Sequence, residues 1–94
     1  MIPAKIIKKT VEMTLSINWE NIKEHTREER NELLVIVYQH SFSNYIERSQ
    51  QLAEVKEEIW DVQNAIIEYN TVWSELNVEE LCPITEPQSN PNLN

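Results

Sequence analysis

The two histidines are the side chains best suited to metal binding or acid–base catalysis, because imidazole does both near neutral pH. His25 has Glu24, Glu28 and Glu29 close to it along the chain. Helical metal sites pair ligands as His-x-x-x-His or Glu-x-x-His, and the sequence contains neither spacing. We therefore predict no metal site, with His25 on the surface and His40 at the end of a helical hairpin.

Serine and cysteine nucleophiles are present, but they lack the surroundings that activate such groups. Ser41 and Ser43 stand near His40, yet nothing in the sequence builds an oxyanion hole or a nucleophile elbow. Cys82 follows acidic residues that oppose thiolate formation. Glycine is absent from the chain, so no Gly-rich phosphate loop can form. The sequence therefore predicts a protein that is not an enzyme and binds no cofactor.

Residues that break helices are confined to the two ends of the chain. The prolines are Pro3, Pro83, Pro87 and Pro91, and there is no glycine, so residues 4–82 contain neither breaker. This composition favours long helices, and we predict an all-α fold. The single cysteine excludes an internal disulfide and favours a cytoplasmic protein. No apolar stretch reaches membrane-spanning length, so we predict no membrane partner.

Charge is distributed unevenly along the chain, whose net charge is −8. Residues 1–56 contain all eight Lys and Arg residues and eight Glu residues, whereas residues 57–94 contain eight acids and no base. The acidic half should repel nucleic acid and anionic membranes and attract a basic protein. Solubility alone is the simpler interpretation of the same acidic surface.

The N-terminal residues carry two competing patterns. Apolar and polar residues alternate over 10–19, which is typical of a half-buried strand; the apolar ones are Val11, Met13, Leu15, Ile17 and Trp19. A helical pattern at Ile7, Val11, Leu15, Asn18 and Ile22 competes with it. We predict an extended segment over residues 10–17, within an N-terminal arm of residues 1–17.

A capping box at Thr26 and Glu29 predicts the start of a helix. The only polar break after it is the run from Ser41 to Asn44, where we predict a turn between two helices. One continuous helix of some fifty residues is the alternative, since nothing in that run forbids a helix. The helical domain is predicted to span residues 18–81, and residues 82–94 are predicted to form a disordered tail.

The strongest pattern is a heptad seam in which apolar residues alternate at spacings of three and four. Its members are Leu52, Val55, Ile59, Val62, Ile66, Tyr69, Trp73 and Leu76. An unbroken seam of this length predicts one long amphipathic helix over about residues 45–76. Trp60 lies one column beside the seam and widens the apolar surface toward that of a bundle helix.

The predicted helices cannot cover this seam within one chain. The helix before the turn is about 21 Å long, against about 50 Å for the long helix. We therefore predict that two helical hairpins pair into a dimeric four-helix bundle. The residues expected to form the self-association or partner interface are Leu52, Val55, Ile59, Trp60, Val62, Ile66, Tyr69, Trp73 and Leu76.

Two classes of function fit these features. The first is a non-enzymatic protein–protein interaction module, namely a small homodimeric helical adaptor, assembly factor or regulatory subunit. Its partners would be a second copy of itself and another protein. The acidic half of the chain favours a basic protein as the second of these partners. The alternative is an acidic inhibitor of the phage type, which occupies a basic nucleic-acid-binding surface of a target protein. Neither class binds nucleic acid directly.

Overall fold

Four helices make up the part of the chain that the computed structural model describes, residues 2–84. They are α1 (Ala4–Glu20), α2 (Arg27–Val55), α3 (Val62–Ser74) and the single turn α4 (Val78–Leu81). No strand occurs within this range. The all-α prediction is confirmed, whereas three of the predicted element boundaries are not.

The extended segment predicted over residues 10–17 is wrong, because the whole stretch lies within α1. Ile7, Val11, Leu15 and Trp19 are four residues apart, so they form one stripe on the helix, and all four are buried. The alternating pattern arose because Met13 lies on the opposite, exposed side of the same helix. The predicted N-terminal arm therefore contributes a full stripe to the core.

Helix α2 begins where the capping box predicts and then continues through the predicted turn. The Thr26 side chain accepts a hydrogen bond from the backbone N–H of Glu29 at 3.1 Å. The turn expected from Ser41 to Asn44 is wrong, since this run is helical. Its polar side chains are accommodated on the helix surface, where Asn44 accepts a hydrogen bond from Arg48 Nε at 2.9 Å. The helix is therefore about 43 Å long.

The single helix predicted over residues 45–76 is divided in this structure, because α2 ends at Val55. Ala53 accepts from the backbone N–H of Glu58 at 2.8 Å, and Glu54 accepts from that of Glu57 at 3.2 Å. These two bonds define a Schellman ending, whose left-handed residue is Glu57 at φ 58°. Glycine normally takes this position, so the sequence carried no recognisable stop signal.

Helix α3 restarts at a side-chain cap. One carboxylate oxygen of Asp61 accepts from the backbone N–H groups of Gln63 at 3.0 Å and Asn64 at 3.4 Å. Such a cap satisfies amides that have no partner inside the helix. Residues 56–61 thus form a turn, which we call the hinge.

Helix α3 runs antiparallel to α2, as two hydrogen bonds between them and one from the hinge to α2 show. Trp60 bonds to Ser49, Glu68 to Tyr45 and Asn70 to Tyr38, so residue numbers rise on one side as they fall on the other. An aromatic cluster fills the space between the two helices; its members are Tyr38, Phe42, Tyr45, Tyr69 and Trp73. Packing of α1 over both helices completes the core.

The segment after α4 returns to the end of α1. Trp19 Nε1 donates to the carbonyl of Pro83 at 2.9 Å, and Arg30 donates to the carbonyl of Cys82 at 3.3 Å. Cys82 is buried in the core. The first residues of the predicted disordered tail are therefore packed, while residues 85–94 of that prediction lie outside the described residues.

Candidate interaction surfaces

Three apolar residues of the predicted seam face solvent around the hinge. The exposed fraction is 82% for Val55, 99% for Ile59 and 43% for Val62. We call these three residues the hinge patch. Fully burying one such side chain is worth roughly 1.5–3 kcal/mol. The hinge patch is therefore the part of the predicted interface that the monomer leaves without cover.

The other predicted interface residues lie within or against the monomer core. Tyr69 is completely buried, and Trp60, Trp73 and Leu76 are half-buried against the core cluster. Leu52 and Ile66 are also partly buried. The structure thus brings one part of the seam inside the chain and leaves the hinge patch outside. Their role in self-association stays a prediction.

Trp60 closes the hinge against the end of α2. Its Nε1 donates to Ser49 Oγ at 3.1 Å, and Ser49 is buried although its side chain is polar. Ser49 Oγ in turn donates to the carbonyl of Ile46 at 3.0 Å. A cavity of about 100 Å³ lies beside Trp60 between α2 and α3. This indole bond links the hinge to the last turns of α2.

A groove of about 710 Å³ runs between the N-terminal half of α1 and the middle of α2. Ile6 and Thr10 line one wall, and His40, Asn44 and Arg48 line the other. The sequence did not predict this groove, because an extended segment was expected in place of α1. The signal available in the sequence was the alternation of apolar residues over 10–19, had it been placed on a helix and not on a strand.

Helix α1 also carries an exposed apolar stripe, whose first residue, Ile6, lines the groove. Ile6, Met13 and Ile17 are seven and four residues apart, which places them on one side of the helix. Each is more than half exposed. Such a stripe is an additional surface that protein contacts could cover.

The residues singled out for chemistry are not brought together. His25 packs against Trp19 with ring centroids 4.7 Å apart and hydrogen-bonds to the Trp19 carbonyl at 2.8 Å, so it is a half-buried structural residue. His40 is exposed and lines the groove. Burial raises the pKa of the Cys82 thiol, which the Arg30 guanidinium partly opposes. These surroundings favour the unreactive thiol.

Two core tyrosines also have raised pKa values. Burial, together with the nearby Glu68 carboxylate, raises the pKa of Tyr45 to about 12. Burial raises the pKa of Tyr69 to about 12 as well. Both phenols stay protonated at neutral pH, and Tyr69 Oη donates to the Tyr38 carbonyl at 2.7 Å. They act as packing and hydrogen-bonding groups.

Residues 2–84 contain no cluster of three or more His, Cys, Asp or Glu side chains placed to hold a metal ion. In the same range, none of the helices combines the length and apolar character needed to cross a membrane. Lys5, Lys8 and Lys9 border a shallow, open pocket together with Glu12 and Glu75. Carboxylates in that lining reduce its positive potential.

Comparison with known proteins finds no family model that matches this chain, and no curated protein or solved structure similar to it. Its function is therefore inferred from the surfaces described above.

Proposed function

We propose that this chain is a non-enzymatic protein–protein interaction module that self-associates and works as an adaptor, assembly factor or regulatory subunit. The observation that carries the proposal is the hinge patch, where Val55, Ile59 and Val62 are exposed within one short turn between α2 and α3 and its two flanking residues. Several exposed apolar residues close together in the chain are typical of an interface. The cytoplasm is the proposed location, which the lone cysteine favours.

In this proposal the hinge patches of two copies face each other. The adjoining ends of α2 and α3 from both chains then form the four helices of a dimeric bundle. A two-fold axis makes the contact self-complementary, because each copy offers the same surface to the other. The exposed stripe on α1 lies outside this contact and stays free for a different protein.

Replacement of Ile59 by aspartate tests the self-association surface. Ile59 is almost fully exposed and lies in the hinge outside any helix, so the monomer fold should be unaffected. The dissociation constant of the dimer should rise roughly tenfold or more, because each copy loses apolar burial and would desolvate a carboxylate. Light scattering coupled to size exclusion, at two protein concentrations, measures the change.

Ile67→Asp is the matched control for this variant. Ile67 is also exposed, at 62%, but it is five residues from Val62, which places it on a different side of α3 from the hinge patch. It should leave the dimer intact. Equal masses for the wild type and for Ile59→Asp, at concentrations where the wild type is dimeric, would exclude the hinge patch from the interface.

The charge distribution favours a second candidate, an acidic inhibitor of a basic, nucleic-acid-binding surface. Between residues 57 and 84 the described chain carries seven acids and no base. Six of the acids are exposed: Glu57, Glu58, Asp61, Glu75, Glu79 and Glu80. Exposed carboxylates without a neighbouring base carry the same sign of charge as the phosphates of a nucleic acid, so they could compete for a basic surface.

Salt dependence separates the two candidates. Binding of an acidic inhibitor to a basic protein should weaken steeply as ionic strength rises, since exposed charges are screened beyond about 8–10 Å at 0.1–0.15 M salt. Burial of the hinge patch should be almost insensitive to salt. Titration of the chain against a basic DNA-binding domain, at low and high salt, measures the first effect; absence of binding at low salt removes the inhibitor proposal.

A further inference from the structure

The seam continues through the hinge although the helix does not. Val55 and Ile59 precede the restart of the helix and Val62 begins it, yet their spacings of four and three are those of one continuous helix. In the turned chain Val55 and Ile59 stay largely exposed, so they contribute little burial there. The pattern therefore fits a second arrangement in which residues 56–61 are helical.

The backbone of the closed hinge is held in an unfavourable conformation. Glu57 has φ 58°, a left-handed conformation that is disfavoured for a residue with a Cβ atom. The backbone N–H groups of Ile59 and Trp60, within this described segment, are not among the donors of the turn's hydrogen bonds. In a continuous helix Glu57 would adopt φ near −63°, and both N–H groups would have carbonyl partners.

We propose that two copies of this chain exchange α3 and α4, and that the hinge straightens so that α2 and α3 join into one helix. This deepens the homodimer proposed above and rests on it. Each α3 then packs on the α1 and α2 of the partner, so the aromatic contacts around Tyr69 are kept between chains. Exchange of an identical element is a low-cost route to a dimer.

The exchange also covers two residues of the hinge patch. Remaking the α2–α3 bonds between chains pairs Ser49 with Trp60 and Tyr45 with Glu68, so the two joined helices cross antiparallel at a two-fold axis near Val55. Val55 of one chain then lies beside its own copy, and Ile59 lies close to Leu52 of the other chain. The two most exposed residues of the hinge patch, Val55 and Ile59, are thereby covered.

The bond between Trp60 and Ser49 passes from one chain to two on exchange. Eleven helical residues separate these positions by about 16 Å along the axis, so the bond cannot persist within one chain of the open form, but the kept register places Trp60 of one chain level with Ser49 of the other. Relief of the Glu57 conformation and burial of Val55 and Ile59 favour exchange, and the freedom of motion lost on association opposes it. The balance between the two forms is therefore sensitive to residue 57.

Two substitutions at Glu57 test the exchange in opposite directions. Glycine stabilises the left-handed hinge and weakens the joined helix, so Glu57→Gly should raise the dissociation constant of the dimer roughly 100-fold. Glu57→Ala is the matched control: it keeps the Cβ atom and favours helix, so the constant should stay equal to or below that of the wild type. Sedimentation equilibrium over a concentration series measures both.

Hydrogen exchange of the hinge amides separates exchanged from unexchanged dimers. In the exchanged dimer the N–H groups of Ile59 and Trp60 should be protected, and in the monomer they should exchange fast. If the dimer is equally stable with glycine and alanine at position 57, and its hinge amide hydrogens are replaced quickly, the swap of α3 and α4 is overturned. The proposal of a homodimer then still stands. Monomeric wild type and Glu57→Ala at the highest soluble concentration overturn the homodimer and the exchange together.

Discussion

Replacement of Tyr69 by alanine is expected to lower the free energy of unfolding by about 3–5 kcal/mol. The side chain is completely buried, and its ring contacts Tyr38, Phe42, Tyr45 and Trp73. Truncation leaves a cavity where α1, α2 and α3 meet and removes the hydrogen bond to the Tyr38 carbonyl. Since small domains are stable by about 5–15 kcal/mol, much of the stability would be lost.

Urea denaturation followed by far-UV circular dichroism measures this loss. Tyr69→Phe is the matched control, because it keeps the ring and removes only the hydroxyl that bonds to Tyr38. Its expected cost is about 1 kcal/mol, the usual value for one hydrogen bond. If the alanine variant were no less stable than the phenylalanine variant, Tyr69 would not occupy the centre of the core.

Replacement of Trp19 by alanine is expected to cause a loss of similar size, about 3–5 kcal/mol. Trp19 is buried at the end of α1, packs against His25 and donates to the carbonyl of Pro83. It therefore ties α1 both to the loop before α2 and to the segment after α4. Alanine removes both connections, so this end of the molecule should loosen even where the remainder stays folded.

Two measurements separate the parts of this effect. Chemical denaturation gives the loss of stability, and limited proteolysis reports the release of the segment around Cys82, which is buried in the wild type. Trp19→Phe keeps most of the apolar surface and loses the indole N–H, so it should cost markedly less than alanine. Unchanged protease resistance in Trp19→Ala would show that the segment is held by other contacts.

The start of α2 was predictable because its signal is local. Thr26 and Glu29 form a capping box whose geometry needs nothing outside four consecutive residues. The hinge was not predictable in the same way. Its Schellman ending uses Glu57 where glycine is usual, and the Asp61 cap stands inside an apolar seam that by itself fits a continuous helix.

The conformation of α1 illustrates a different limit. Alternating and helical patterns coexist over residues 10–19, and propensity alone does not separate them. The helix is decided by packing: Ile7, Val11, Leu15 and Trp19 form one buried stripe against α2 and α3, whereas an extended chain would have no neighbouring strand within the described residues. The groove beside α1 follows from that packing and could not be predicted from the sequence.

The seam residues are partly placed by the structure, and their role in an interface stays a prediction. The seam correctly gathers side chains that pack between helices, such as Tyr69 and Trp73. It did not reveal that α3 folds back on α2 and covers part of the seam within one chain. Only the hinge patch then remains exposed, which narrows the proposed surface to Val55, Ile59 and Val62.

The sequence by itself determined the all-α fold class and the side chains available for packing. Its strand-like alternation over residues 10–19 was too weak to form a strand within the described residues. Lack of glycine and internal proline permits long helices, and apolar residues at helical spacing supply the faces that they bury. Tertiary structure alone decided where the helices end and which apolar residues stay outside. The chain turns at the hinge when the packing of α3 against α2, centred on Tyr69, outweighs the unfavourable backbone at Glu57. That packing joins residues far apart in the chain, so no local sequence pattern could reveal it.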